Sequence, residues 1–450
     1  MTVAVPPTPF TATVLGLPRI GPNRELRQAV EDYLAGLIDA DRLDSAAREL
    51  RLAHLSVLAA AGLDSIPVGT FSYHDQMLDT AALFGALPAR VLGIADPLDR
   101  YFAAARGTAT VAPLDQAPWF GTGYHHLVPE IDAETRFTLH ADALLAELAE
   151  AVELGVPARP VVIGPLTFLK LSRHARGAAL DRLPELVPRY RELLSALADA
   201  GASWVQLDEP ILATELTARE IAHLRTTYAA LASTSRRPAL LVAVPFGPPG
   251  ATLAALADMG IDGVALDFTA GTTLEAVASV PALTRKLLVA GVVDGRGFWR
   301  TDLDAALSTL GSLLGSAGSV AVSSSCSLLH VPYSLAPEAT LDERLRSWLA
   351  FGAEKVTEVG ILAGALARGT DAVAPELDAA RAAVRAQRAH LAQPAVLGHT
   401  STEHGWVQSS GAQCVRPPIP LREAARPASA TTRHSTPAVR NEVHRPWSPA

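Results

Sequence analysis

Trp204 to Pro210 reads WVQLDEP, a short, mostly apolar run that ends in two adjacent carboxylates and a proline. Its first four residues, Trp204 to Leu207, read as a strand buried on both faces, as a parallel sheet requires. Upstream, Leu183 to Ala200 carries a helical period; downstream, Ala239 to Val244 (ALLVAV) repeats the buried run. The alternation extends in both directions, with strands expected at Ser65 to Val68, Arg159 to Ile163, Gly263 to Leu266, Lys286 to Ala290 and Ser319 to Val322, and helices such as Thr252 to Met259 between them. Strand, helix, parallel strand is the right-handed crossover unit. Seven or eight such units predict an α/β fold of the (β/α)8 TIM type. No Gly-x-Gly-x-x-Gly follows the first strand, so a dinucleotide-binding sheet has little support.

In such a barrel the residues just after each strand line the active-site face. That rule selects Gly164 and Pro165, Asp208 to Pro210, Pro245 and Phe246, Asp267, Asp294 to Arg296, and Ser323 to His330. Asp208 and Glu209 invite an acid/base reading, because paired carboxylates shift each other's pKa. Cys326 and His330 have metal-ligand spacing if helical, but a zinc site needs further ligands, and a buried thiol with a packing histidine is the expectation. His125, His126 and Glu130 are tempting ligands, yet adjacent residues point apart on either regular element. Arg296 and Arg300 could hold an anion or pair with Asp294 or Asp302.

The chain has 450 residues, 49% of them hydrophobic, enough for a substantial core. A net charge of -8 argues against a nucleic-acid or anionic-membrane partner. MTVAVPPTPFTATVLG has no basic n-region and is no secretory signal. The uncharged stretch Ala305 to Leu329 is broken by Gly, Ser and Thr and reads as a helix followed by a buried strand, not as a membrane span. Cys326 and Cys414 build no disulfide framework. A cytoplasmic, enzyme-like chain is expected.

Arg24 to about Ala61 is helix-periodic, with Leu26, Val30, Tyr33, Leu34 and Leu37 at spacings of three and four, and predicts an antiparallel helical pair. Beyond Gln393 the alternation stops and Pro, Ser, Thr and Arg accumulate, the composition of a disordered tail. The expected domains are a barrel over 1–393 and an irregular tail over 394–450.

Seven blocks then fall in one order: LGLPRIGPNREL (Leu15 to Leu26), DSIPVGTFSY (Asp64 to Tyr73), WFGTGYHHLVPE (Trp119 to Glu130), VIGPLTF (Val162 to Phe168), WVQLDEP, GVVDGRGFWRTDL (Gly291 to Leu303) and SSCSLLH (Ser324 to His330). Together they resemble the N-terminal half of cobalamin-independent methionine synthase. The resemblance implies a family of paired (β/α)8 barrels. The C-terminal barrel holds zinc through two Cys, one His and one Glu, and the zinc-bound homocysteine thiolate attacks the N5-methyl of a folate polyglutamate, without cobalamin. It also implies that the N-terminal barrel supports the folate side, with Asn23, Arg24, Glu25 and Leu26 at the positions that touch folate and its glutamate tail. A guanidinium beside a helix N-terminus suits carboxylates. Where the family has a tail-binding lysine, this chain has Pro118. The paired Asp208 and Glu209 would be a relic of the catalytic copy in the other barrel.

Gly405 to Thr431 (GWVQSSGAQCVRPPIPLREAARPASAT) resembles a displaced piece of the family's C-terminal barrel, with Gln413-Cys414 where the family has Arg-Cys. An internal deletion followed by a frameshift would explain this remnant and the patternless stretch after it. The implied protein is a folate-side barrel without the zinc half, with no catalytic residue and no metal ligand set of its own, and inactive alone. The alternatives are a noncatalytic module that binds 5-methyltetrahydropteroyl polyglutamate or docks on a separate catalytic barrel, or an independent enzyme using Asp208, Glu209 and Asp294.

Overall fold

The computed structural model describes residues 8–392. Seven parallel strands form one sheet in sequential order: β1 (Ile66–Val68), β2 (Ala158–Ile163), β3 (Trp204–Asp208), β4 (Ala239–Val244), β5 (Gly263–Asp267), β6 (Leu287–Val293) and β7 (Ser319–Ser324). Each of the seven expected strands is present, most of them extended by a residue or more. Gly291 carries β6 past its expected end: a Cβ there would meet the Ser325 Cα at 2.6 Å and the Leu266 carbonyl at 2.8 Å, so only glycine admits this close strand approach.

The two edges of the sheet are joined by a segment to which the sequence pattern assigns no strand. Ala12 bridges Val322 on β7 and Thr13 bridges Ser65 beside β1, both in parallel sense. Backbone bonds run from Thr13 N to Val322 O (3.0 Å) and from Val322 N to Thr11 O (2.9 Å). The Asp64 carboxylate clamps the same segment, accepting from Thr11 N (2.8 Å) and Ala12 N (2.7 Å). The barrel is thus closed, its eighth position filled by a short extended piece.

Side chains sort by parity, as the pleat dictates. On β4, Leu241 and Ala243 face the barrel interior with Ala265, Val289 and Ala321, whereas Leu240, Val242 and Val244 join the larger core beneath the helices. The interior also holds a charge. Arg159 on β2 is fully buried and donates to Thr13 Oγ1 (2.7 Å), Ser65 Oγ, the Val14 carbonyl (2.9 Å) and Gln206 Oε1 (3.1 Å), with its guanidinium 5.3 Å from the Phe10 ring centroid. Burial lowers its pKa to about 9, against the pull of Asp208.

The helical pair appears as α1 (Glu25–Leu34) and α2 (Ala40–Ala60). Asp39 starts α2 by accepting from Arg42 N (2.9 Å). After β1 the chain forms α3 (Gln76–Leu83) and α4 (Pro97–Arg106), then short pairs at Gln116–Pro118 with His125–Leu127 and Glu130–Ile131 with Arg173–His174, and the crossover helix α5 (Asp142–Glu153). The expected helix and strand within Ala305 to Leu329 are Leu303–Leu313 and β7, and among the described residues no helix is long and apolar enough to cross a membrane. The compact unit runs to Gln387; of the stretch Arg388–Ala450, the described residues cover only the end of the helix Ala374–Leu391. The expected tail, its 405–431 remnant and Cys414 lie outside the described residues.

Candidate functional site

The C-terminal ends of the strands converge on a mouth lined by Leu15, Asp75, Trp119, Asp208, Phe246 and His330, among others. It is nearly full. The cavity there holds about 20 Å³, room for about one water molecule. An aromatic group occupies the space: Phe246 stacks on Phe120 at 5.7 Å with the rings 3° from parallel, and its centroid lies 5.4 Å from His330 and 6.5 Å from Trp119. Phe120 (φ 40°) and Phe246 (φ 73°) both adopt left-handed backbone, a strained choice for bulky residues that the packing imposes.

The carboxylate pair separates into two roles. Glu209 is fully buried and turned away from the mouth, accepting from Leu166 N (3.1 Å), Thr167 N (2.7 Å), Thr167 Oγ1 (2.6 Å) and Tyr228 Oη (3.0 Å). It holds the start of the helix Pro165–Lys170, and a Cβ on Gly164 would collide with it at 2.2 Å. Asp208 faces inward and accepts from Gln206 Nε2 (2.6 Å), which links it to Arg159. Burial pushes both carboxyls up to about 7. Asp267 is buried and spent on Thr269 N (2.8 Å), Thr269 Oγ1 (2.7 Å) and Phe246 N (3.1 Å).

Beside the mouth lies a network on residues the strand-end rule passes over. Arg19 is buried, donates from Nη2 to the His74 carbonyl, and lies 5.9 Å from the Tyr124 ring centroid. Tyr124 donates to Asp75, which caps α3 through Leu78 N (2.9 Å). Arg19 and Tyr124 stand inside two of the motif blocks, the only signal that could have found them.

The positions marked for folate meet at the start of α1. Arg24 is exposed, with left-handed backbone (φ 65°) just before the helix. Glu25 accepts from Asn23 N (3.0 Å) and Asn23 Nδ2 (2.9 Å), so these donors are turned to the chain's own carboxylate. Leu26 is a core residue, buried with Ala29 and Val30. Pro118 is an exposed edge residue of a two-stranded pair.

Cys326 is buried, its thiol pushed far up by burial. His330 is held to about 4 by burial against the aromatic group. His126 is buried and bonds the Leu127 carbonyl (2.9 Å), His125 is exposed, and Glu130 pairs with Arg90 and Arg173. Arg296 departs from expectation: its guanidinium faces Asp267 at 3.9 Å, and only its backbone N meets Asp294 (2.9 Å), because Asp267 points inward from the end of β5.

Residues 11–318 match the protein family described as cobalamin-independent synthase, N-terminal domain. The 5-methyltetrahydropteroyltriglutamate–homocysteine methyltransferase of Mycobacterium tuberculosis is 59% identical over 390 residues, covering 86% of this chain and 51% of that protein. The protein of the same name from Rhodococcus jostii is 58% identical over 376 residues, covering 83% and 50%. This chain therefore spans about half the length of the curated relatives it matches. Among solved structures, a putative vitamin-B12 independent methionine synthase from Listeria monocytogenes superposes with a TM-score of 0.56 at 15% identity, over 80% of this chain and 98% of that one. A B12-independent methionine synthase from a Shewanella species gives 0.56 at 13%, over 82% and 100%. These last two are likenesses of fold. By the family match and the identity to its relatives, the chain belongs to the cobalamin-independent synthase family, through its N-terminal domain.

Proposed function

We propose that this barrel serves the folate side of methyl transfer from 5-methyltetrahydropteroyltriglutamate to homocysteine, and that it does not carry out the transfer alone. The observation behind this reading is the filled mouth: about 20 Å³ against the roughly 300 Å³ or more of an ordinary substrate site. Glu209, one of the two paired carboxylates, is committed to holding a helix, which argues against an independent enzyme on Asp208, Glu209 and Asp294. The exposed Arg24, at the N-terminal end of α1, is a reasonable receiver for the glutamate tail.

The family resemblance calls for zinc. Among the described residues no group of three or more His, Cys, Asp and Glu is arranged to hold a metal, and Cys326 is a buried, protonated thiol. These residues do not fit that ligand set, and no step of the reaction is assigned to them. In this reading the zinc chemistry belongs to a separate catalytic barrel in the cytoplasm, and the exposed pair Phe298 (47%) and Trp299 (37%), on the loop after β6, is a candidate contact for it.

The test is a pair of measurements on the purified chain. With homocysteine, methyltetrahydropteroyltriglutamate and zinc, no methionine should form. Titration with folate triglutamate should saturate and weaken about tenfold in Arg24→Ala, the loss of one charge-assisted contact. Turnover would overturn the noncatalytic role, and absent or Arg24-independent binding would overturn the folate role.

A further inference from the structure

A second cavity lies outside the mouth. It has a volume of about 830 Å³ and is lined by α2, α3, α4, α5 and the C-terminal half of β2, with Asp208 shared between it and the mouth. Its walls are mainly apolar, with Phe71, Leu83, Leu87, Leu98 and Leu144 among them. That size and lining are those of a small-molecule site.

The charges that reach it are unbalanced. Both lining arginines are already engaged: Arg51 forks onto Glu150 through Nε (2.8 Å) and Nη2 (2.7 Å), and Arg100 donates to the Ile94 carbonyl (3.0 and 2.8 Å). The carboxylates are engaged only in part. Glu147 accepts one bond, from Gly69 N (2.9 Å) to Oε2, and its Oε1 has no donor among the described residues. Asp79 is met by the Tyr101 hydroxyl (2.7 Å), with Ser72 beside it. Burial pushes both acids up to about 7; it outweighs Arg51 and the Gly69 N–H at Glu147, where Asp79 and Glu150 push the same way as burial, and it outweighs Tyr101, Ser72 and Arg19 at Asp79. Asp44, Asp79, Asp142, Glu147 and Asp208 outnumber Arg51 and Arg100 on the lining, and this excess of acid in an apolar cavity leaves a place for a cation.

We propose that this cavity binds an organic cation, an ammonium group on an apolar body, with the ammonium between Asp79 and Glu147. The ammonium supplies the donors that Glu147 Oε1 lacks, and the leucine and phenylalanine walls take the body. An anion would meet the excess of carboxylates, with Nε and Nη2 of both Arg51 and Arg100 already bonded within the protein. A bare metal ion would leave the apolar walls without a role, and no three-ligand group stands there among the described residues.

The experiment is calorimetric titration of the full chain at pH 7 with 4-phenylbutylammonium, and with 4-phenylbutanol and 4-phenylbutyrate as isosteres. The ammonium should bind saturably at one site, about tenfold or more tighter than either isostere. Repeating it in two buffers of different ionisation enthalpy should show net proton release, as the cation draws the raised carboxyls into their charged form. Glu147→Gln and Asp79→Asn should each erode the preference. Leu144→Trp, which leaves the carboxylates in place, should block all three probes by filling the space. Equal affinity for the ammonium and the alcohol, binding that survives Leu144→Trp, or no saturable binding of the ammonium to the unmodified chain would each overturn the proposal.

Discussion

Arg159 Nη1 donates to Thr13 Oγ1 at 2.7 Å inside the barrel, joining β2 to the segment that closes it. The same guanidinium holds Ser65, Val14 and Gln206, so it fastens the closing segment to the β1 edge and to β3. Arg159→Met should leave these acceptors buried without their donor and Asp208 without its nearby cation, costing about 3–5 kcal/mol in urea unfolding. Thr13→Val removes one acceptor and should cost about 1–2 kcal/mol. Equal effects from the two would mean that the hydroxyl, not the charge, holds the seam.

Asp208 titrates at about 7 in the fold, against 3.8 in the open chain, because burial outweighs Arg159 and Gln206. A raised folded pKa contributes stability below the unfolded value, and that contribution is lost as pH rises through the folded one. Asp208→Asn removes this dependence. Relative to the unmodified chain, the variant should gain on the order of 1 kcal/mol per pH unit between pH 4 and 7. Urea titrations at several pH values read this directly, and parallel curves would show that Asp208 is ionised throughout.

His330 has the opposite sign. Burial lowers it from 6.5 to about 4, so its contribution is present above pH 6.5 and lost as pH falls through 4. His330→Phe keeps an aromatic ring against Phe246 and removes the titration. The variant should resist acid unfolding better, by roughly 2–3 kcal/mol at pH 4 compared with pH 7. Circular dichroism during acid titration should show its midpoint shifted downward.

Phe246 carries ring packing and a left-handed backbone at once. Phe246→Ala loses the rings and keeps the strain, for about 2 kcal/mol or more. Phe246→Gly loses the same rings and sheds the strain, so it should be less damaging by about 1 kcal/mol. The order of the two unfolding midpoints is the result to watch; alanine above glycine would mean that the backbone is relaxed in solution.

Much of the barrel was legible in the residues. Ala239 to Val244 and its counterparts announce buried strands because hydrophobic runs are local, and the helical period of Arg24 to Ala61 is local too. Motif order from Leu15 to His330 was enough to point to the family. The closing segment was not legible: Thr11 to Thr13 carry no apolar period, and they become strand-like only because Asp64, Ser65 and Val322 supply partners from distant parts of the chain.

The sequence by itself determined the seven main strands, the helical pair, the family and the residues available at each strand end. Only the tertiary structure decided which of those residues face a space. It turned Glu209 into a helix support and filled the mouth with Phe120 and Phe246. It also buried Arg159 against Thr13, 146 residues away, and opened the cavity beside Asp79 and Glu147. The physical reason is that burial, charge pairing and empty volume depend on contacts between segments far apart in sequence, whereas strand and helix preference is written within a few residues.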